Sequence, residues 1–391
     1  MENFFEEVVR LKAKVKKVFI YGAGLYGQNI YKILKKQNIE VEGFVITTKT
    51  KEDELFDLPV YEALGMLNKD VGLIIGINRH NVVAVKNLLE EINFDKSNIV
   101  WGNDYIDKNG VRGGYDEIPT MEITTKIGCK INCKYCPQNL LIGKYYSDDP
   151  SRERILSLEN FTKYLNKLPK ECTILFSGMA EPFLNSNCGE MLKIACDSGR
   201  KVDLYTTLVG TTEQDIKLIS ELPIGFIGLH VADKRNYANI PISEEYYKKV
   251  SYLINKKRND GTPLINVCNA QTEPDDKIIE ICKGKYDILT TMLDRAGNLK
   301  EEELYRKSCI LGKISCSLCG NKLNHNILLP DGTVVLCCMD YGMKHILGNL
   351  QKQSYQEIIN GKELNFIKHG MLNDEKLDIL CRNCSCANVC I

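Results

Sequence analysis

From residue 121 to residue 293, short apolar segments alternate with segments that have the apolar spacing of amphipathic helices, such as 157–168 and 213–222. The six strand candidates are 121–125, 172–178, 201–207, 224–231, 263–269 and 286–293. Because strand–helix alternation produces parallel strands, six such units predict an α/β domain in the form of a partial (β/α)6 barrel of the TIM type. Active sites in such barrels lie in the loops that follow the carboxyl ends of the strands.

The N-terminal part of the chain shows the same alternation on a smaller scale. The strand candidates are 16–21, 41–46 and 71–77, and the helix candidate is 82–92. This order predicts a Rossmann-like parallel sheet over residues 1–112. Two adjacent glycines and a proline within 111–119 are typical of a linker, so we expect the barrel domain to occupy residues 116–305.

A glycine-rich turn, GAGLYG, joins the first strand to a helix. Gly22, Gly24 and Gly27 follow the spacing of a dinucleotide fingerprint, in which backbone N–H groups hold a phosphate at a helix N-terminus. The acidic residue that contacts a ribose is missing, because the second strand ends in two threonines and Glu52 comes too late. The stretch resembles small Rossmann-like domains of sugar-modifying and surface-polysaccharide biosynthesis proteins, which implies a nucleotide-sugar, another phosphorylated group or another protein as its ligand.

Charge and hydropathy exclude several kinds of partner. Lysine plus arginine equals aspartate plus glutamate at 51 each, so nucleic acid is not expected to be the main partner. No run of about eighteen apolar residues is present to span a membrane. The N-terminal residues lack the apolar segment of a signal peptide, and we therefore expect a cytoplasmic protein without a membrane partner.

The cysteines are numerous and unevenly distributed. There are 17 in all, of which none lies in the first 128 residues, three lie at 129–136 and nine lie in the last 83 residues. Disulfides are disfavoured in the cytoplasm, so clustered cysteines there indicate metal binding or redox chemistry.

The first cluster, Cys129-x3-Cys133-x2-Cys136, directly follows the first barrel strand. Four thiolates normally hold a [4Fe–4S] cluster, and three from one loop leave one iron open for a substrate or cofactor. A zinc site is the alternative, but it would need a nearby fourth ligand, and the next cysteine is Cys172. Surplus thiols without a metal are a further alternative.

This spacing, with Tyr135 before the last cysteine, resembles the radical S-adenosylmethionine (SAM) superfamily. The resemblance implies that Cys129, Cys133 and Cys136 hold a [4Fe–4S] cluster, that SAM chelates the open iron, and that the Tyr135 backbone lies near the adenine. Reductive cleavage of SAM in that family gives a 5′-deoxyadenosyl radical that abstracts hydrogen from carbon. Such chemistry also implies a reducing partner such as flavodoxin or ferredoxin.

Two further segments resemble family elements. SGMAEP, after the second barrel strand, resembles the motif whose backbone and glutamate hold the amino group of SAM; its members here are Gly178, Met179, Ala180 and Glu181. A turn before a helix is the alternative. DRAGN, after the last barrel strand, resembles a turn found in auxiliary-cluster members, which makes Arg295 a candidate for a SAM or substrate contact or else a surface turn residue.

His230 ends the fourth barrel strand and is followed closely by Asp233, so both are expected near the barrel mouth. His230 is a candidate proton acceptor; the alternative is a hydrogen-bonded core histidine.

The C-terminal part, residues 306–391, contains a strand–turn–strand pattern at 326–338. The order Cys319-x12-Gly332-x4-Cys337, followed by Cys381-x2-Cys384, resembles the auxiliary-cluster domains called SPASM and, in shorter form, twitch. The resemblance implies one auxiliary [4Fe–4S] cluster held by these four cysteines, with a four-cysteine zinc ribbon as the alternative. The chain ends before the last ligand that a second cluster of the full pattern requires. Five cysteines are left without a proposed metal: Cys309, Cys316, Cys338, Cys386 and Cys390. We expect some to be buried apolar residues, and one of them is alternatively a hydrogen-atom donor to the substrate radical.

The ligand spacing is similar to that of aminocyclitol alcohol dehydrogenases of antibiotic biosynthesis. This implies a radical SAM oxidoreductase that converts a carbinol of a small sugar, cyclitol or nucleotide-sugar into a ketone, with the auxiliary cluster accepting an electron. The small-molecule substrate is then phosphorylated or nucleotide-linked if the N-terminal domain binds it. Alternatives are a sugar epimerase, a peptide-modifying SPASM maturase, and a zinc-stabilised protein without enzymatic activity.

Overall fold

A computed structural model describes residues 4–47, 54–63, 66–67, 70–77, 82–102, 105, 118–259, 261–283, 288–290, 294–299, 310–316, 318–320, 322–373 and 376–389. The chain divides into two compact units. The first contains Met1–Asp116, Ser315–Asn321 and Asn388–Ile391, and the second contains Glu117–Ile314 and Lys322–Ala387. Most of the predicted linker lies outside the described residues, as do the predicted boundaries at 112, 116 and 305, which stay predictions.

The first unit is built on a parallel sheet. Its helices are α1 (Phe4–Lys14), α2 (Leu25–Lys36) and α3 (Val82–Glu91), and its strands are β1 (Lys17–Tyr21), β2 (Phe44–Ile46), β3 (Glu54–Leu55), β4 (Leu58–Glu62), β5 (Val71–Ile75) and β6 (Ile99–Trp101). The strand order is β3-β4-β2-β1-β5-β6, and every pair is parallel except β3–β4. All five residues of β5 are buried, as expected for a strand covered on both faces.

The second unit contains a larger, mixed sheet of nine strands and eight helices among its described residues. Its strands are β7 (Thr120–Ile123), β8 (Thr173–Phe176), β9 (Val202–Thr206), β10 (Phe226–His230), β11 (Val267–Ala270), β12 (Ile288–Thr290), β14 (His325–Leu328), β15 (Thr333–Val335) and β16 (Ile346–Asn349). Its helices are α4 (Gln138–Ser147), α5 (Leu158–Lys167), α6 (Cys188–Asp197), α7 (Glu213–Glu221), α8 (Glu244–Asn255), α9 (Asp276–Cys282), α10 (Tyr355–Ile359) and α11 (Lys362–Leu372). Two short strands, β13 (Ile314–Cys316) and β17 (Ala387–Val389), pair separately.

The strands of the larger sheet follow the order β12-β11-β10-β9-β8-β7-β14-β15-β16. The six strands β7 to β12 are mutually parallel, which confirms the predicted α/β class with a sheet of consecutive strand–helix units. The predicted hairpin is β14–β15, and β14 pairs in parallel with β7, so the hairpin extends the same sheet. Gly332 turns the hairpin with a φ of +85°.

Local sequence signals start the helices that surround this sheet. Ser157 caps α5 by accepting a hydrogen bond from the Asn160 backbone N–H, and Thr212 forms a capping box with Asp215 at α7. No helix among the described residues has the length and apolar content that a membrane span requires.

Candidate functional site

A cavity lies at the carboxyl ends of the parallel strands in the second unit. Its walls include the barrel residues that the sequence singled out: Cys129, Cys133, Tyr135, Cys136, residues 178–181, His230 and Arg295. The loops after β7 and β8 supply most of them, and His230 is the last residue of β10. Gln138, Thr206, Thr207 and Tyr341 also line the cavity, although the sequence had not singled them out.

The sulfur atoms of the cysteine loop are surrounded by hydrogen-bond donors. Cys129 Sγ accepts hydrogen bonds from the backbone N–H groups of Ile131 and Glu181, and Cys133 Sγ accepts one from the Tyr135 hydroxyl. Cys136 Sγ accepts one from Gln138 Nε2 at 3.3 Å and lies 3.3 Å from the Tyr341 hydroxyl oxygen.

The donor set fits thiolates that bind an iron–sulfur cluster. Hydrogen bonds to each sulfur stabilise the negative charge of a ligating thiolate. Among the described residues, no three His, Cys, Asp or Glu side chains converge on a single metal ion. A [4Fe–4S] cluster does not require such convergence, because each thiolate binds a different iron. One contact suits a thiol instead: Cys133 Sγ lies 3.0 Å from the Ala238 carbonyl oxygen.

Burial keeps Cys129 and Cys133 protonated when no metal is bound. Desolvation raises the pKa of Cys129, and it raises the pKa of Cys133 to about 12. Because thiolates are the form that ligates metal, cluster binding at these two residues releases protons.

The SGMAEP segment forms a tight turn after β8. Gly178 has a φ of +65°, and a Cβ atom there would lie 2.5 Å from Thr124 Oγ1, so only glycine suits the position. Its N–H donates to Glu122 Oε1 at 2.8 Å, and the Met179 N–H donates to Thr124 Oγ1 at 3.0 Å. The turn is therefore fixed to β7 and the residue that follows it.

The Glu181 carboxylate accepts hydrogen bonds from the last residue of β9 and from the residue after it. It accepts hydrogen bonds from Thr206 Oγ1 at 2.6 Å and from the Thr207 N–H and Oγ1, each at 2.7 Å. The Phe183 N–H is a weaker fourth donor at 3.5 Å. With these partners, Glu181 acts in this structure as an anchor for the turn, and the backbone of the turn is the part that remains to contact a ligand.

Gln138 connects the cysteine loop to the SGMAEP turn. Its Oε1 accepts from the Cys129 N–H at 3.2 Å, and its Nε2 donates to the Met179 carbonyl and to Cys136 Sγ. The residue is buried at the start of α4, two positions after the last cysteine. Gln138 was not singled out from the sequence; the signal that could have indicated it is a polar side chain two positions after the last cysteine.

His230 and Arg295 lie on the wall of the same cavity. Desolvation and, to a lesser extent, the charge of Arg295 lower the pKa of His230 to about 4, so the imidazole is neutral at physiological pH. Arg295 adopts a φ of +51°, and its guanidinium carbon lies 5.6 Å from the centre of the Tyr341 ring. Its Nε is buried without a hydrogen-bond partner among the described residues.

Asp233 stabilises the conformation of the loop after β10. It is buried, and it accepts hydrogen bonds from the Tyr237 and Ala238 N–H groups at 3.0 and 2.9 Å. The loop that it shapes contacts the cysteine loop, since the Lys134 N–H donates to the Tyr237 carbonyl at 2.9 Å.

The proposed auxiliary ligands fall in both units. Within the second unit, the Cys384 thiol donates to Cys386 and interacts electrostatically with Cys337, while Cys381 is buried at the start of the same turn. Within the first unit, Cys319 Sγ lies 3.4 Å from Cys316 Sγ. Cys338 interacts electrostatically with Arg295. Cys309 and Cys390 lie outside the described residues.

The glycine-rich turn lies between β1 and α2. Gly22 has a φ of +111°, and a Cβ atom on Gly27 would lie 1.7 Å from the Gly22 carbonyl oxygen, so both glycines are required by the backbone. A Cβ atom on Gly24, at the N-terminus of α2, would meet nothing within 4 Å. Thr47 follows β2 and its hydroxyl lies 2.8 Å from that of Tyr21, whereas Thr48 and Glu52 lie outside the described residues.

Known proteins resemble parts of this chain. A dual-specificity RNA methyltransferase RlmN from Wigglesworthia glossinidia brevipalpis is 27% identical over 213 residues, which are 51% of this chain and 50% of that protein. The chain therefore spans about half the length of this curated relative. The structure of BtrN with AdoMet and 2-DOIA is 16% identical, with a TM-score of 0.46, over 68% of this chain and 93% of that one. The structure of Streptococcus suis SuiB bound to precursor peptide SuiA is 10% identical, with a TM-score of 0.45, over 92% of this chain and 82% of that one.

Two family matches cover the regions that contain the cysteine groups. Residues 123–283 match the radical SAM superfamily, and residues 319–385 match SPASM, an iron–sulfur cluster-binding domain. The first match includes the three-cysteine loop and SGMAEP, and the second includes Cys319, Cys337, Cys381 and Cys384. Radical SAM domains bind SAM and a [4Fe–4S] cluster, and SPASM domains bind auxiliary iron–sulfur clusters. The chain therefore contains a radical SAM superfamily domain, followed by a C-terminal SPASM iron–sulfur cluster-binding domain.

Proposed function

We propose that this enzyme is a radical SAM oxidoreductase that converts a carbinol of a small sugar, cyclitol or nucleotide-sugar into a ketone. In this proposal Cys129, Cys133 and Cys136 hold the catalytic cluster, and Cys319, Cys337, Cys381 and Cys384 hold one auxiliary cluster. The bound cluster and SAM supply a 5′-deoxyadenosyl radical, which removes hydrogen from the carbinol carbon. The observation that carries the proposal is the single cavity shared by the three cysteines, the SGMAEP turn, His230 and Arg295.

The turn after β8 is the proposed holder of the SAM methionine group. Its conformation is fixed through Gly178 and Met179, and Gln138 fixes it relative to the cysteine loop. Since the Glu181 carboxylate already accepts four hydrogen bonds, we assign amino-group recognition to the backbone of residues 178–180. The Tyr135 backbone, next to Cys136, is the proposed adenine contact.

Two side chains have the properties that carbinol oxidation requires. His230 is neutral, so an imidazole nitrogen can accept the hydroxyl proton as the carbon is oxidised. The Arg295 Nε has no partner among the described residues, so the guanidinium can bind a carboxylate or phosphate oxygen of SAM or of the substrate. An auxiliary cluster held by Cys319, Cys337, Cys381 and Cys384 would accept the remaining electron, and a flavodoxin or ferredoxin is the proposed reductant for SAM cleavage.

Anaerobic reconstitution tests the cofactor assignment. We expect about eight irons and eight sulfides per chain, four of each per cluster, and 5′-deoxyadenosine on reduction with dithionite. Cys136→Ala should lose about half of the iron and all 5′-deoxyadenosine formation. Cys196→Ala, which changes a partly buried cysteine of α6 in neither cysteine group, is the matched control and should retain both. Zinc without sulfide would contradict the proposal.

The fate of a deuterium label distinguishes oxidation from epimerisation. A substrate deuterated at the carbinol carbon should transfer deuterium to 5′-deoxyadenosine and leave a ketone. Cys338 favours epimerisation as the second candidate, because it interacts with Arg295 on the cavity wall. Its S–H hydrogen would pass to the substrate radical, and the resulting thiyl would take one electron and one proton from the reductant and solvent. An inverted carbinol with deuterium from heavy water, lost in Cys338→Ala, would establish that reaction instead.

A further inference from the structure

Tyr341 brings a phenol from the SPASM domain to a sulfur of the radical SAM domain. The side chain is 3% exposed, and its hydroxyl oxygen lies 3.3 Å from Cys136 Sγ. Tyr341 belongs to the SPASM match at 319–385, whereas Cys136 belongs to the radical SAM match at 123–283. Both residues lie in the second unit, on the wall of the same cavity.

A buried hydrogen-bond network fixes the turn that carries Tyr341. The Asp340 carboxylate accepts hydrogen bonds from the Lys344 and His345 N–H groups, each at 2.8 Å. His345 Nε2 accepts from the Leu380 N–H at 3.0 Å, and its Nδ1 lies 2.7 Å from Glu363. The turn begins at Cys337 and the network ends beside Cys381, so both proposed auxiliary ligands flank the scaffold that positions the phenol.

The chemistry of this contact bears on cluster reduction. When Cys136 is a ligating thiolate, the Tyr341 hydroxyl can only donate to it. One-electron reduction adds negative charge to a cluster, and a hydrogen bond to a ligating sulfur stabilises that charge and raises the reduction potential. The Arg295 guanidinium lies 5.6 Å from the Tyr341 ring and stabilises negative charge in the same region.

We propose that Tyr341 is a positioning residue through which the SPASM domain raises the reduction potential of the three-cysteine cluster. The inference rests on the proposed assignment of that cluster to Cys129, Cys133 and Cys136. The SPASM domain would then have two roles. It would bind an auxiliary cluster, and it would affect the three-cysteine cluster through the hydrogen bond from Tyr341.

A redox titration of Tyr341→Phe tests the inference. The substitution removes only the hydroxyl, so the variant should retain its iron and sulfide. The three-cysteine cluster is recognised by an EPR signal that changes on addition of SAM. In a reductive titration with dithionite, its midpoint potential should be more negative in Tyr341→Phe than in wild-type protein. The auxiliary signal, which does not respond to SAM, should keep its potential.

Tyr145→Phe is the matched control. Tyr145 packs in the same apolar cluster as Tyr341, but its hydroxyl donates to the Glu153 carbonyl at 2.7 Å. The control should leave both potentials unchanged. If Tyr341→Phe is insoluble, Tyr341→Met replaces it, because a flexible methionine side chain can fill the same space without a hydroxyl. This variant should also have a more negative midpoint potential at the three-cysteine cluster.

The outcomes separate this inference from the proposed function. Wild-type protein without a SAM-sensitive signal would overturn the cluster assignment itself. A normal wild-type signal, together with an unchanged potential in loaded Tyr341→Phe, would overturn only the role of Tyr341. Loss of the first cluster from Tyr341→Phe would also overturn it, because the hydroxyl would then be needed for cluster retention.

Discussion

His230 ends β10 with its imidazole ring on the cavity wall. Its pKa is lowered to about 4 by desolvation and by the charge of Arg295, compared with an ordinary value of 6.5. Between these two pH values the folded protein binds fewer protons at this ring than the unfolded chain does. The free energy of unfolding therefore decreases as the pH falls from about 6.5 to about 4.

At this residue scale, we expect His230→Gln to remove that part of the pH dependence. Between pH 6.5 and pH 5.5, wild-type protein should lose about 1 kcal/mol more unfolding free energy than the variant, since one pKa unit corresponds to about 1.4 kcal/mol and the ring is partly accessible. Urea unfolding at the two pH values measures the difference. His369→Gln is the control, because His369 is exposed on α11 and lies outside the cavity. Equal losses in wild type and His230→Gln would contradict a neutral His230 and the proposed base.

Residue types and spacing single out candidate site residues that the fold brings to one cavity. The three cysteines, Tyr135 and Arg295 were all singled out from sequence, and they lie on one cavity. Gln138 and Tyr341 were missed, because their importance comes from hydrogen bonds to Met179 and Cys136 that exist only after distant segments fold together. Glu181 shows the same limit: its position was predicted, but its occupation by β9 was not.

At the scale of elements, the loop between β10 and α8 supports the cysteine loop from one side. Asp233 holds its conformation through the Tyr237 and Ala238 N–H groups and through Thr272 Oγ1. The loop then contacts the cysteine loop through the Tyr237 carbonyl and through Asn239, whose Nδ2 donates to the Ile131 carbonyl. One buried carboxylate thus shapes an element that contacts the proposed cluster site.

Asp233→Asn should loosen this loop. The amide retains one acceptor oxygen, so the Ala238 N–H faces an –NH2 group and loses its partner, which costs about 1–3 kcal/mol of unfolding free energy. We also expect faster loss of iron from the three-cysteine cluster during exposure to a chelator. Asp276→Asn is the control, since Asp276 is exposed and forms a surface ion pair with Lys234. An unchanged unfolding free energy in Asp233→Asn would show that the loop does not depend on the carboxylate.

Strand–helix alternation predicted most strands of the larger sheet but only three of the six strands of the smaller sheet. The segment 263–269 was expected to be a strand throughout, but β11 begins only at Val267 because Leu264 instead donates to the Lys256 carbonyl at 3.0 Å. In the smaller sheet, strands β3, β4 and β6 were missed, since β3 and β6 have only two and three residues and β4 contains Pro59. The parallel pairing of β14 with β7 joins segments about 200 residues apart, which local periodicity does not reveal.

At the scale of the whole molecule, the chain has a second candidate ligand site in a different unit from the cysteine loop. The glycine turn after β1 precedes α2, and neighbouring β2 and β5 lie on opposite sides of β1. In open parallel sheets, ligands bind beyond the carboxyl ends of the strands where the chain order reverses. We propose that this unit binds a phosphorylated group, and a nucleotide-sugar is the class consistent with the proposed substrate.

Gly24 allows this proposal to be tested without disturbing the fold. Because a Cβ atom on Gly24 meets nothing within 4 Å, Gly24→Val should leave the thermal unfolding of the ligand-free protein unchanged while occupying space at the N-terminus of α2. If UDP-glucose binds there, it should raise the unfolding temperature of wild-type protein and should have little effect on Gly24→Val. Gly27→Ala is the steric comparison and should be destabilised without ligand, because its Cβ would lie 1.7 Å from the Gly22 carbonyl oxygen. A shift of equal size in wild type and Gly24→Val would place the nucleotide elsewhere, and no shift in wild type would exclude this ligand.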